Sequence, residues 1–338
     1  MKLTKRNIIF FIIMVSIIYF LGIYQLPYYI QKPGGANPLN PIVEVAEGYE
    51  SKGDMHLVTV SGLQATPLQY VFAKFLSYQE IIPLEQVFPE GISQDDYMHV
   101  QLQVMESSQE AATVVAYEAA GGDITIEYNG VYVVLVVEGM PAEGILQTGD
   151  RIIGIDGIEI KEAGDLIDYV DALQASDIIT IEFVRDDETI HEAITLEEFS
   201  DIDNKVGIGI SLVTDRNVTV QPEIKFSSGN IGGPSAGLMF SLEIYDQLTE
   251  EDLTKGKEIA GTGEVDYDGN VLRIGGIDKK IVAADREGID IFFAPNENDA
   301  HNSNYQLAVK TAEEIGTDME IVPVDTFEDA LNYLQQLQ

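Results

Sequence analysis

Apolar and polar positions alternate on different periods along this chain, and the period changes mark its parts. The first block has no period at all: residues 8–24 (IIFFIIMVSIIYFLGIY) run without a charge. Continued through Tyr28–Ile30, the block is long enough to cross a bilayer core of about 30 Å. A Pro/Gly-rich stretch, residues 31–41, reads as a spacer. The β-branched and apolar run 55–60 predicts a strand, whereas 69–77 and 107–120 predict helices, the second closed by Gly121 and Gly122.

From Asp123 the blocks become short and strand-like. Residues 130–139 predict a strand, 165–173 a helix, and 177–196 a hairpin turning at Asp186-Asp187. An acidic link over 197–205 leads to a third region in which strands and helices alternate. There 206–214 and 218–226 read as strands and 234–248 as a helix. A hairpin over 258–276 turns at Asp268-Gly269, and a helix over 277–287 follows. A strand at 289–295, a helix at 304–316, a strand at 319–324 and a helix at 327–337 complete the chain. Asp325 and Glu328 are expected to cap that last helix. This alternation points to a layered α+β fold.

Charge sharpens the picture. Residues 1–32 carry Lys2, Lys5, Arg6 and Lys32 and no acid, while the whole chain has a formal net charge of −38. Basic residues ahead of the apolar run predict a cytoplasmic amino terminus, an uncleaved anchor through residues 8–30, and everything after about residue 32 outside the cell membrane. The alternative is a signal peptide cleaved near Gly34-Gly35-Ala36, against which stand the long apolar run and the want of a clean small-x-small site. Tyr24, Tyr28 and Tyr29 suit the outer membrane interface. The acidic remainder should repel nucleic acid phosphates and anionic lipid headgroups. With no cysteine, there is no disulfide framework or thiolate nucleophile. The four histidines, His56, His99, His191 and His301, are scattered and match no zinc motif, so neither a metal nor a cofactor is expected.

Two features carry chemistry. In GGPSAG (232–237) a serine stands at a glycine-rich bend before an apolar helix, beside the unpaired N–H groups of a helix start. That position suits a nucleophile with oxyanion donors nearby, and it equally suits a capping serine. In the helix from Ile277, the i, i+3, i+4, i+7 stripe places Lys280 with Ile281 and Ala284 on the buried face and sends Lys279 elsewhere. A desolvated lysine loses its proton near neutral pH and can serve as a general base. None of the histidines neighbours the serine in sequence, so a serine–lysine pair fits better than a serine–histidine triad.

Residues 122–200 resemble a PDZ domain through Gly130-Val131-Tyr132-Val133, Leu146 to Ile152 (LQTGDRI) and Asp156-Gly157. That resemblance implies that the backbone of Gly130, Val131, Tyr132 and Val133 cradles a peptide's terminal carboxylate. Residues 231–295 resemble the proteolytic domain of Lon-type serine–lysine peptidases through Gly233-Pro234-Ser235-Ala236-Gly237, Gly261-Thr262-Gly263-Glu264-Val265, Gly275 to Lys280 (GGIDKK) and Ala294-Pro295. It implies Ser235 as nucleophile, Lys280 as base, Thr262 as the group orienting the lysine, and a turn of Gly233, Pro234 and Ala236 around the oxyanion.

Together the parts resemble membrane-anchored, PDZ-containing Lon-like peptidases of Gram-positive bacteria. The expected organisation is an anchor (1–30), a linker and first Lon-like part (31–121), a PDZ domain (122–200) inserted ahead of the Lon-type proteolytic domain (201–338). Two departures stand out: Gly232 occupies a position that is usually acidic in Lon, and the chain has no GxxxxGKS or GxxxxGKT loop. The expectation is an ATP-independent endopeptidase acting on peptides or flexible exported proteins, with the PDZ domain guiding substrate or gating access. The alternative is a catalytically silent PDZ scaffold. Oligomerisation stays open.

Overall fold

A computed structural model describes residues 5–88, 94–199 and 205–337. Lys2, the Arg6 side chain and the link residues 200–204 lie outside the described residues. The chain begins with α1 (Lys5–Ile23), β1 (Tyr28–Pro38), β2 (Val43–Val45), β3 (Met55–Gln64), α2 (Pro67–Ala73), β4 (Glu80–Pro83), α3 (Leu84–Val87) and α4 (Gln94–Ala120). Then come β5 (Asp123–Val136), β6 (Arg151–Ile155), β7 (Ile158–Glu159), α5 (Ala163–Asp171), β8 (Ile178–Arg185), β9 (Glu188–Thr195), β10 (Glu197–Glu198), β11 (Val206–Gly207) and β12 (Ile210–Gln221). The last part holds β13 (Ile224–Phe226), α6 (Gly237–Leu248), β14 (Ile259–Gly261), β15 (Glu264–Val265), β16 (Val271–Leu272), α7 (Ile277–Arg286), β17 (Ile291–Pro295), α8 (Asn304–Ile315), β18 (Glu320–Val324) and α9 (Phe327–Gln335).

The chain divides into two compact units, one made of Met1–Asp123 with Val220–Gln338, the other of Ile124–Thr219. The first is built on a six-stranded sheet in the order β18-β17-β14-β3-β1-β4. Its β3, β14, β17 and β18 run parallel, and β1 pairs antiparallel with both β3 and β4. The central strands β14 and β17 are buried throughout, as parallel strands covered on both faces must be. Helix α6 packs against α4 and over β3 and β14, and α7 packs on β1 and β3.

The second unit is a sheet in the order β12-β5-β6-β8-β9 with β7 beside β6. It closes over its own core of Val131, Ile152, Ile179, Ile181 and Phe183. Asp186 and Asp187 both take positive φ at the β8–β9 turn, the geometry of a tight two-residue hairpin. Buried Asp150 holds this unit's turn through a two-pronged pair with Arg185, at 2.6 and 2.7 Å.

Four expectations are corrected. The apolar helix stops at Ile23, and Tyr28 and Tyr29 lie in β1, their rings against Tyr70 and Phe88. Backbone pairing with β3 and β4 makes those residues sheet, and among the described residues no helix is long and apolar enough to cross a membrane. The 31–41 spacer is mostly strand: Gly34 sits where a Cβ would fall on Thr59, so the Gly/Pro content serves a close backbone approach and a bulge between Pro33 and Ala36. The hairpin expected over 258–276 shrinks to β15–β16, because 259–261 joins the central sheet. Helix α9 is capped by a reciprocal Thr326–Asp329 pair in place of Asp325 and Glu328.

One buried acid on α6 has a consequence for stability. Glu243 is 2% exposed, and burial pushes its carboxyl up to about 7; a bond from Gln247 opposes this and the nearby Asp246 and Asp54 add to it. Gln247 meanwhile bonds both Val43 and Val45 of β2. Since the folded-state value lies above the unfolded one, Glu243 contributes stability that is complete below about pH 4.5 and is lost as pH rises through 7. Glu243→Gln keeps the oxygen that accepts from Gln247. Its melting temperature is expected to fall less than that of the wild type between pH 5 and 8, as measured by thermal unfolding across that range.

Candidate active site

The serine turn is fixed by neighbours on three sides. Ala236 is the residue before α6 and makes no side-chain cap, so the helix starts at Gly237 and neither Pro234 nor Ser235 belongs to it. The Ser235 carbonyl accepts from Gly263 N–H at 3.0 Å and from the Thr262 hydroxyl at 2.9 Å. Helix α4 supplies the rest. Gln101 O accepts from Gly233 N–H at 2.9 Å, and Ser108 Oγ donates to Pro234 O, also at 2.9 Å. A Cβ on Gly232 would lie 2.8 Å from Gln101 Cβ, so α4 leaves no room for an acidic side chain there.

Against this turn stands Lys280. Its Nζ lies 2.7 Å from Ser235 Oγ and 2.8 Å from Thr262 Oγ1. Lys280 is 4% exposed and Thr262 fully buried. Burial alone drives the Lys280 ammonium down to about 7, because an ammonium removed from water and met by hydroxyls recovers little of its hydration. Its neighbour Lys279 is buried as deeply and has a different environment: it pairs with Glu80 at 2.8 Å and Asp278 at 3.3 Å. Two adjacent lysines on α7 thus meet opposite surroundings.

Ser235 opens into a cleft of about 700 Å³. Its walls include Gln31 of β1, Ser61 of β3, Tyr97 and Met98 of α4, and Glu264 of β15. Burial, with Asp266 adding to it, raises the Glu264 carboxyl. The structure therefore brings together Ser235, Lys280 and Thr262. Of the three turn residues, Gly233 has its N–H committed to Gln101, Pro234 has none to give, and Ala236 alone retains an N–H beside the serine at the helix start.

The Gly130–Val133 segment is a correction. Val131 and Val133 are core residues, and Val131 and Tyr132 pair with Ile152 and Arg151 of β6, so that backbone is occupied. The groove of this unit lies elsewhere, between α5 and residues 206–212, lined by Leu166, Ile167 and Val170 opposite Ile208, Ile210 and Leu212. Its strand β12 is the edge of the sheet. Gly209 takes a φ of 80°, and a Cβ there would strike Met140. Reading the sequence missed this groove; it placed a helix over 107–120 but missed that α4 begins at Gln94 and walls the serine turn. The available signals were the Gly207-x-Gly209 spacing within an apolar run and the small face of the 107–120 helix.

With that geometry in place, comparison with known proteins is informative. Residues 210–336 match the Lon protease (S16) C-terminal proteolytic domain, and residues 98–196 match the PDZ domain. The chain carries the proteolytic domain of a serine peptidase together with a PDZ domain. It is similar to the Lon protease of Campylobacter jejuni, 36% identical over 102 residues, which is 30% of this chain and 12% of that protein. It is likewise similar to the Lon protease of Aster yellows witches'-broom phytoplasma, 33% identical over 100 residues, again 30% and 12%. The chain thus spans about an eighth of the length of these relatives. The PDZ domain of an SdrC-like protein from Listeria monocytogenes is 34% identical, with a TM-score of 0.25, covering 26% of this chain and 93% of that one. The PDZ match opens inside α4 and ends before residues 206–212, whereas the compact unit runs Ile124–Thr219.

The burial of Lys280 has a measurable cost. Its folded-state value lies below the ordinary 10.5, so the unfolded chain binds the extra proton between about pH 7 and 10.5 and stability rises with pH across that window. Lys280→Met fills similar volume without the charge. It is expected to be more stable than the wild type below pH 7, by on the order of a few kcal/mol, with the gap closing as pH climbs toward 10. Urea unfolding of both proteins at pH 6, 8 and 10 checks this.

Proposed function

We propose that the chain is an ATP-independent serine endopeptidase with a Ser235–Lys280 dyad. The observation that carries the reading is the 2.7 Å contact between Ser235 Oγ and a buried Lys280 Nζ whose proton affinity has fallen to near neutrality. The Thr262 hydroxyl hydrogen is directed at Ser235 O, so Thr262 Oγ1 receives an N–H from Lys280. In the neutral amine that bond leaves the nitrogen lone pair free to face Ser235 Oγ.

The serine oxygen attacks a peptide carbonyl carbon as its proton passes to Lys280 Nζ. The tetrahedral oxyanion is held by backbone N–H groups, which we assign to Ser235 and Ala236. The lysine returns the proton to the departing amine, leaving an acyl-serine. Water then attacks the acyl carbon with Lys280 again taking the proton; the bond from that carbon to Ser235 Oγ breaks, Lys280 returns the proton to Ser235 Oγ, and the acid product leaves. Across the trans Pro234–Ser235 peptide the carbonyl and the N–H point opposite ways. By holding Pro234 O, Ser108 therefore fixes the direction of the Ser235 N–H and acts as a positioning residue. No nucleotide enters this scheme, in keeping with the absence of a GxxxxGKS or GxxxxGKT loop from these 338 residues.

For the PDZ unit we propose that a substrate end adds as a strand to the free edge of β12. Its apolar side chains would enter the groove beside α5, with its carboxylate at the 207–210 backbone and Lys205 at the mouth. For the amino terminus we propose an anchor in the cell membrane confined to the apolar part of α1. The basic end, Lys2, Lys5 and Arg6, would be cytoplasmic and both folded units outside. The exposed apolar side chains from Ile8 to Ile23 support it. Substrates are then peptides or flexible exported proteins.

The test is incubation of the full chain with an unfolded protein, without nucleotide, and mass spectrometry of the released peptides. Wild type is expected to cleave, rising about tenfold per pH unit up to a plateau above 7. Ser235→Ala and Lys280→Ala are expected to lose at least about 10³-fold. Equal cleavage by all three overturns the dyad, and silence from all three returns the chain to a peptide-binding scaffold. Ser108→Ala is expected to lower kcat about tenfold or more with KM and the pH midpoint unchanged. In the PDZ unit, Ile167 is 44% exposed, so Ile167→Glu should leave the fold intact. By fluorescence anisotropy it should weaken binding of peptides with an apolar carboxyl terminus about tenfold.

A further inference from the structure

Helix α2 and the residues after it show water a face that the catalytic scheme does not use. Leu68, Val71, Phe72, Phe75 and Leu76 are all exposed, Phe75 to 83%. This is an ordered surface. The helix start is fixed by a reciprocal Thr66–Gln69 capping box, and its inner side rests on a small core of Ile30, Ala65 and Ala73 with Tyr28, Tyr70 and Ile81. Five large apolar side chains within nine residues exceed the scattered exposure normal for a soluble surface.

Two observations say what covers this face. Helix α1, itself apolar and exposed from Ile8 to Ile23, packs against α2, so the two apolar surfaces are continuous. The surrounding sequence is also free of acid in a chain of net charge −38: no Asp or Glu occurs from Lys5 to Val43 or from Met55 to Gln79, and Lys74 stands within the patch. Carboxylates begin only at its border, with Glu80 in β4 and Glu314, which accepts from the Tyr78 hydroxyl. An apolar face that carries a lysine, has no acid within it and continues an apolar helix is complementary to a lipid headgroup boundary.

We propose that the exposed face of Leu68, Val71, Phe72, Phe75 and Leu76 seats in the interfacial layer of the bilayer that holds α1. The proposal rests on the anchor reading above and adds a second contact to it. An isolated helix anchor would leave the folded unit free to swing; a second contact at α2 restrains that unit against the lipid.

The chain contains no tryptophan, so a single introduced one reports its own surroundings without background. Phe75→Trp, Phe20→Trp in α1 and Tyr49→Trp, which is 52% exposed on the same unit, are each made in the full chain. Each is reconstituted in phosphatidylcholine vesicles with and without brominated acyl chains. The proposal expects the bromolipid to reduce emission of Phe75→Trp roughly twofold or more, as for a ring buried about 5–10 Å into the boundary. It expects a similar loss for Phe20→Trp and none for Tyr49→Trp. Quenching of Phe20→Trp without Phe75→Trp overturns the proposal and leaves the anchor standing. Quenching of neither removes the anchor reading as well. A Phe75→Trp emission that is blue-shifted, insensitive to bromolipid and dependent on protein concentration assigns the face to a second copy of the chain and likewise overturns the proposal.

Discussion

The contact between Lys280 and its two hydroxyls is what the rest of the peptidase unit serves. A lysine so placed is costly, and it persists only where surrounding structure holds it. The holding is visible in the bond set. Thr262 accepts from Lys280 and donates to Ser235 O, and Gly263 N–H binds the same carbonyl. The residues at the end of β14 therefore hold both Ser235 and Lys280. Lys279, one residue earlier, shows the contrast: though itself buried, it pairs with carboxylates that reach water.

The unit that builds this site is discontinuous in sequence. Strands β1 and β3 and helix α4 precede the PDZ unit, whereas the serine turn, β14 and α7 follow it. The site depends on both parts. Helix α4 accepts from Gly233, donates to Pro234 and, through Gln109, binds Ser228. Strand β3 pairs with β14 in register Leu57 to Gly261, one residue before Thr262. The second unit has its own closed core and its own groove, consistent with a module that folds around its own hydrophobic residues.

Much of this was legible residue by residue. The buried stripe of α7 placed Lys280 correctly because helical period is a local property. The positive-φ turn at Asp186-Asp187 was legible for the same reason. Lys279, read as lying off the α7 stripe, is buried as well, because Glu80 from β4 meets it. Errors occurred where a segment's role depends on distant partners. Residues 31–38 read as a spacer from their Gly/Pro content and became a strand, since β3 and β4 flank them. Residues 259–261 read as hairpin and became a central strand. Gly130–Val133 carried a plausible peptide-binding pattern, but β6 pairs with it and the edge falls at β12.

By itself, the sequence determined the residue types that make a serine–lysine pair conceivable, their helical and turn contexts, the missing cysteine, and the segregation of acid away from the apolar amino-terminal parts. Only the tertiary structure decided which hydroxyl faces the lysine, which N–H groups around the serine are already committed, and which terminal strand of the second sheet borders a groove. Period and composition are local and can be read along a chain. Desolvation and hydrogen-bond satisfaction depend on what packs from elsewhere, and here the decisive neighbours come from α4 and β14.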